Sequence, residues 1–138
     1  MDGIGTQMHV TCGQTTLDGV KAMLTNLAAT GKLIKISELD MGYRATGATA
    51  NMLTDSVKFA QAQEMSVFYQ QIVKAYFEIV PAAQRYGITH WSPLDSPKSS
   101  SWRAQEPIGL WTEKYYRKPA YGGFADGLAG KAATTTNQ

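Results

Sequence analysis

The chain has 138 residues, 43% of them hydrophobic, which is enough to bury one modest core, so we expect one domain or a piece of one. Its formal net charge of +2 comes from scattered side chains, without the runs of like charge that bind nucleic acid or anionic lipid. No stretch approaches the roughly 18 apolar residues that span a bilayer. We therefore predict neither a nucleic-acid partner nor a membrane partner.

A first strand and a first helix are predicted at the start of the chain. Alternating residues over 4–10 predict the strand, and the single cysteine, Cys12, is expected to be a small buried hydrophobic residue near its end. Thr16 and Asp18 are typical of a helix start, and apolar residues then recur at spacings of three and four as far as residue 29. Gly31 suits the left-handed residue that follows a helix.

The second predicted strand, residues 33–39, brings two carboxylates, Glu38 and Asp40, to its end. Its adjacent apolar residues are typical of a parallel strand that is buried on both faces. A carboxylate where such a strand ends is a candidate reactive group. The loop over residues 41–50 is long enough to shape a site, and within it Tyr43 and Arg44 either contact a ligand or face solvent.

A long helix is predicted over residues 51–79, which contain neither glycine nor proline, and Pro81 ends it. Apolar residues recur along one face of this helix. We expect its aromatic side chains to cover the sheet, and these are Phe59, Phe68, Tyr69, Tyr76 and Phe77.

The last third of the chain combines a short strand, a long loop and a short helix. The strand covers residues 88–91, and the serine- and proline-rich loop after it presents Trp102. A final helix is predicted from Pro119 to about Leu128, and residues 131–138 are expected to form a disordered tail. Three successive β/α units predict an α/β fold with a parallel sheet and right-handed crossovers.

Four sequence blocks, in this order, carry a resemblance to a known family. They are Asp-Gly-Ile-Gly-Thr-Gln-Met-His at residues 2–9, Ile-Ser-Glu-Leu-Asp at 36–40, Ile-Thr-His-Trp at 88–91 with Ser-Trp at 101–102, and Lys-Pro-Ala-Tyr at 118–121. Together they make residues 1–130 resemble the C-terminal part of the catalytic domain of glycoside hydrolase family 10, the retaining endo-1,4-β-xylanases. The resemblance implies strands six to eight of a TIM (β/α)₈ barrel, incomplete in this chain.

The resemblance also implies roles for five residues. Glu38 matches the catalytic nucleophile, and His9 matches the histidine that hydrogen-bonds and orients it. Gln7 matches a glutamine that lines the sugar-binding cleft. Trp91 and Trp102 match tryptophans beside the site, where indole rings can lie against the faces of pyranose rings.

Four of these residues also have a purely structural interpretation. Glu38 alone could be an acid that ends a strand and caps the next turn, and His9 a half-buried histidine whose hydrogen bonds are satisfied. Gln7 is a weaker match than His9. Trp91 could belong to the core at the rim of the barrel, and Trp102 could anchor its loop to the surface.

The acid/base glutamate of the family lies at the end of strand four, and nothing in this chain matches it. Asp40 is better interpreted as a structural hydrogen-bonding group, because two residues along a strand carry its side chain about 6.6 Å further. We expect this chain to need the N-terminal half of the barrel, or else to self-associate through open sheet edges. The partner that the resemblance implies is xylan or a xylo-oligosaccharide.

Two alternatives to a xylanase part stay open. The chain could be a catalytically inactive assembly module that binds xylan weakly at most, or its substrate could be a β-1,4-glucan. The resemblance implies that the reaction needs no metal or organic cofactor. It also implies export to the periplasm, the cell surface or the medium, although no signal segment is visible in this chain.

Overall fold

A computed structural model describes residues 1–131 as three strands that alternate with three helices. In chain order these elements are β1 (Gly3–Cys12), α1 (Leu17–Ala28), β2 (Leu33–Tyr43), α2 (Phe59–Ile79), β3 (Arg85–His90) and α3 (Pro119–Leu128). The strands form one parallel sheet in the order β1-β2-β3, so the three predicted β/α units are confirmed. The predicted tail lies outside the described residues except for Lys131, whose N–H donates to the carbonyl of Asp126.

The core lies between one face of the sheet and the helices. Met8 and Val10 of β1 and Ile34 and Ile36 of β2 are buried there, and Cys12 is buried with them as predicted. Strand alternation leaves the opposite face of β1 to polar residues. This second face carries the candidate site.

The aromatic residues of α2 cover the sheet only in part. Tyr69 and Tyr76 are fully buried and Phe68 nearly so, as predicted. The prediction is wrong for Phe59 and Phe77, which are 64% and 36% exposed. A helix that packs along one stripe leaves its other residues in solvent, and these two phenylalanines lie toward the ends of α2.

The strand β2 is longer than predicted, because it continues to pair with β1 beyond Leu39. His9 lies opposite Asp40, and Cys12 lies opposite Tyr43 at the end of both strands. Tyr43 is therefore a buried strand residue whose hydroxyl donates to Glu64 at 2.7 Å, and it faces neither solvent nor the candidate site. Sequence alone favoured a loop here because glycine and small residues begin at residue 42.

The helix α2 begins at Phe59, eight residues later than predicted. The preceding segment uses its backbone N–H groups in tertiary contacts: Met52 donates to the carbonyl of Tyr43, and Thr54 donates to that of Gln105. A short 3₁₀ turn follows at Thr54–Ser56. These long-range hydrogen bonds override the weak helix propensity of the segment.

The strand β3 begins at Arg85, three residues earlier than predicted, and Trp91 lies just beyond its end. The N–H of Trp91 still donates to the carbonyl of Leu39, at 2.9 Å. The loop that follows is organised by Lys118, whose ammonium donates to the buried Asp95 and to the carbonyl of Gly109. Burial raises the pKa of Asp95 and lowers that of Lys118, while their attraction opposes both shifts.

Two edges of the sheet are open. β1 and β3 each pair only with β2, so in the part of the chain that the structure describes neither has a strand on its other side. No helix among residues 1–131 is long and apolar enough to cross a membrane.

Candidate active site

A bulge in β2 turns Glu38 toward the polar face of the sheet. Thr6 lies opposite Ile36, but the next residue, Gln7, lies opposite Glu38, so Ser37 is the extra residue. Ile36 is buried against the helices, and without the bulge strand alternation would put Glu38 on that same face. Bulges are known to re-aim side chains in this way.

Both carboxylate oxygens of Glu38 have a partner on β1. The amide nitrogen of Gln7 donates to Oε1 at 3.0 Å, and Nε2 of His9 lies 3.1 Å from Oε2. The Glu38 side chain stays 23% exposed, so its carboxylate is fixed and still open to solvent. The structure thus brings Glu38 against Gln7 and His9, which lie about 30 residues earlier in the sequence.

His9 lies between two carboxylates. Its Nε2 contacts Glu38, and its Nδ1 lies 3.1 Å from Oδ1 of Asp40, which is fully buried. The second contact is close enough for an ion pair but too poorly aligned for a hydrogen bond, since Nδ1 has no hydrogen-bond partner. Only the doubly protonated imidazolium can present N–H groups to both acids.

Two tryptophans flank the imidazole. The ring centroid of His9 lies 6.1 Å from that of Trp91 and 4.6 Å from that of Trp102. Both indoles are partly open, at 49% and 41% exposure. Trp102 also anchors its loop, because its Nε1 donates to Oδ2 of Asp40 at 2.9 Å. This contact supports the interpretation of Asp40 as a hydrogen-bonding group.

The sequence interpretation missed Arg103, which follows Trp102 directly. Its guanidinium donates to Asp40 and Glu106 at 2.8 Å each. The only available signal was a cation next to a matched tryptophan. His90, in contrast, lies away from the site: it points to the helices, where Tyr69 hydrogen-bonds its Nε2 at 3.0 Å.

Comparison with known proteins identifies the family. The model of glycosyl hydrolase family 10 matches residues 1–127 of this chain. The chain belongs to glycosyl hydrolase family 10. Endo-beta-1,4-xylanase Xyn10C of Cellvibrio japonicus is a family 10 relative with 34% identity over 151 residues, covering 99% of this chain and 24% of its own length. Endo-1,4-beta-xylanase A of Cellvibrio japonicus (strain Ueda107) is 32% identical over 143 residues, covering 95% of this chain and 23% of its own length.

Solved structures of the family confirm the incomplete barrel. Native xylanase10C from Cellvibrio japonicus aligns with a TM-score of 0.84 and 29% identity, over 99% of this chain and 30% of its own. A mutant of that enzyme in complex with xylopentaose aligns with a TM-score of 0.83 and 30% identity, over 99% of this chain and 29% of its own. The chain thus spans about a quarter of the length of the curated relatives that it matches. The three β/α units are part of a family 10 (β/α)₈ barrel.

Proposed function

We propose that this chain is the nucleophile-bearing part of a retaining endo-1,4-β-xylanase, which hydrolyses xylan by double displacement. One observation carries the proposal: a family 10 chain holds Glu38 by both oxygens, between Gln7 and His9, level with the carboxyl end of β3. Active sites of (β/α)₈ barrels form at that end of their strands.

Glu38 would act as the nucleophile. Its carboxylate attacks the anomeric carbon and forms a glycosyl-enzyme intermediate, which water then hydrolyses. Gln7, and His9 when its Nε2 carries a proton, donate hydrogen bonds that favour the ionised carboxylate and fix its direction. A fixed direction lowers the entropic cost of reaching the transition state.

The acid/base group must come from outside this chain. A retaining glycosidase needs a second carboxyl group about 5 to 5.5 Å from the nucleophile, where it protonates the leaving oxygen. Asp40 is unsuited to this role, because it is fully buried and receives hydrogen bonds from Trp102 and Arg103. We propose that the first five β/α units supply the missing glutamate and that this chain is inactive without them.

Xylan is the proposed substrate. Trp91 and Trp102 leave indole surface open beside Glu38, and apolar faces of pyranose rings stack on such surfaces. The relative solved with xylopentaose binds a ligand of this chemistry. Because polymeric xylan does not enter cells, we propose that the complete enzyme acts outside the cytoplasm.

A covalent trap tests the nucleophile. The chain is combined with the first five β/α units of Cellvibrio japonicus Xyn10C, and we call this complex the assembled barrel. A 2-fluoro xylobioside with a good leaving group forms the intermediate with little acid assistance. We expect one glycosyl adduct by intact mass, mapped to Glu38 by peptide analysis, in the assembled barrel and not in the chain alone.

Variants and a second sugar separate the alternatives. Glu38→Ala should abolish both adduct and turnover, whereas Glu113→Ala, which alters an exposed loop acid, should leave both intact. Unchanged turnover in Glu38→Ala would refute the nucleophile. A folded assembled barrel without any adduct would favour the inactive assembly module. An adduct formed more readily with a 2-fluoro cellobioside would favour a β-1,4-glucan as substrate.

A further inference from the structure

Arg103 joins four groups behind the candidate site. Its Nη1 donates to Oδ1 of Asp40 at 2.8 Å and to the carbonyl of Val10 at 3.1 Å. Its Nε donates to Glu106 at 2.8 Å, and its Nη2 lies 3.3 Å from Oγ1 of Thr11. The backbone of Arg103 is left-handed, with φ +44°, a conformation that costs free energy in a non-glycine residue and that these contacts offset.

Gly42 makes room for this guanidinium. A Cβ atom at residue 42 would overlap the Arg103 guanidinium and the Glu106 carboxylate. Gly42 does not have a positive φ, so its backbone conformation alone would allow other residues at this position. The close approach of Arg103 is therefore what requires a glycine here.

We propose that Arg103 is a positioning residue for the nucleophile, acting through Asp40 and His9; this inference rests on the function proposed above. Arg103 and His9 share Oδ1 of Asp40, and the arginine makes the shorter contact, 2.8 Å against 3.1 Å. Arg103 thereby fixes the carboxylate that lies against Nδ1 of the imidazole. Its positive charge also lies one carboxylate away from the imidazole, so removing it changes the electrostatic potential at His9.

Two further titratable groups near Arg103, Asp40 and His9 carry no charge near neutral pH, and these are Tyr69 and His90. Burial raises the pKa of Tyr69 on α2, and burial lowers the pKa of His90 on β3 to about 4. The charged and titratable groups around Asp40 come from every element packed there: His9 on β1, Glu38 and Asp40 itself on β2, Tyr69 on α2, His90 on β3, and Arg103 and Glu106 in the final loop. Within residues 1–131, Arg103 is thus the permanent cation of this group.

Histidine titration tests the proposed effect of the Arg103 charge on His9, and it does not require enzymatic activity. The chain has two histidines, so ¹⁵N-histidine labelling of the full chain, alone and in the assembled barrel with its other segment unlabelled, reports His9 and His90 separately. Arg103→Met should raise the titration midpoint of His9 by about one pH unit, because Asp40 is then unopposed. Arg103→Lys should shift it much less, and Arg117→Met, which alters an exposed arginine, should not shift it. An unchanged midpoint in Arg103→Met would overturn the proposal.

Kinetics test the positioning part. In the assembled barrel, Arg103→Met should lower kcat/KM about tenfold and move the acid limb of its pH profile, because Asp40 and His9 lose the cation that holds them behind Glu38. Gly42→Ala displaces the arginine without removing it, so it should act in the same direction but add little in the Arg103→Met background. A loss of activity without movement of the acid limb in either variant would indicate a structural role and overturn the proposal.

The two readouts separate this inference from the function on which it rests. An assembled barrel that never hydrolyses xylan refutes the proposed function, and the midpoint of His9 still decides whether Arg103 controls the imidazole. If Arg103→Met fails to fold, both measurements are made on Gly42→Ala, which retains the arginine but displaces its guanidinium. An unchanged midpoint in Gly42→Ala would then overturn the proposal.

Discussion

At the scale of single residues, His90 shows how a histidine can serve the core instead of the active site. It neighbours Trp91 in the sequence, yet its ring packs edge-on against Phe124 at 5.8 Å and accepts or donates a hydrogen bond with Tyr69. Burial lowers its pKa from 6.5 to about 4. The folded chain therefore holds His90 neutral in a pH range where an unfolded chain protonates it.

His90 should make the protein sensitive to acid. The pKa of His90 is lower in the folded than in the unfolded protein, so its contribution to the free energy of unfolding is complete above about pH 6.5. This contribution is lost as the pH falls toward 4, and the total loss is about 3 kcal/mol. Thermal unfolding of the assembled barrel at pH 7 and pH 4.5 measures this loss as a fall in Tm. His90→Gln, which keeps a polar partner for Tyr69, should show a smaller fall, and equal falls in both proteins would contradict the assignment.

At the scale of elements, the packing of α3 on α2 depends on glycine. Gly123 is buried, and a Cβ atom there would overlap the backbone carbonyl of Ser66. The hydroxyl of Ser66 in turn donates to the carbonyl of Pro119 at 2.7 Å, at the start of α3. The two helices therefore approach each other backbone to backbone.

Two adjacent glycines of α3 offer a matched test of this contact. Gly123→Ala should destabilise the assembled barrel by about 2 kcal/mol or more, because rigid backbone cannot move aside. Gly122 is exposed, and a Cβ atom there would meet nothing within 4 Å, so Gly122→Ala should be neutral or stabilise by up to about 1 kcal/mol through helix propensity. Urea unfolding of both variants compares them, and equal midpoints would show that the helices do not touch at Gly123.

At the scale of the whole molecule, the open sheet edges determine how we expect the chain to associate with other chains. Among residues 1–131, no strand pairs with the outer side of β1 or of β3. Tyr86 on the edge strand β3 is an exposed aromatic residue, with 67% of its surface open to solvent. Edges of this kind promote association with another chain.

The chain alone should therefore self-associate, and the complementary segment should suppress this. We expect analytical ultracentrifugation to show concentration-dependent oligomers for the chain and a 1:1 complex after addition of the first five β/α units of Xyn10C. An equivalent segment from an unrelated (β/α)₈ barrel serves as the control and should leave the oligomers unchanged. A stable monomer of the chain at all concentrations would contradict this expectation.

The sequence by itself determined the three β/α units, the family and the residues that match its motifs. Hydrophobic periodicity fixes these elements because it reflects which residues meet the core, and helices α1 and α3 agree with their predicted bounds within about one or two residues. The motif blocks also singled out Gln7, His9 and Glu38 before any geometry was known.

Only the tertiary structure decided how these residues meet. The bulge at Ser37, which turns Glu38 to the polar face, arises from pairing with a strand about 30 residues away and leaves no local signature. The same holds for the late start of α2, where hydrogen bonds to a distant loop replace helical ones. Arg103 escaped detection because its partners, Asp40 and Val10, become neighbours only when the last loop folds back over the ends of β1 and β2.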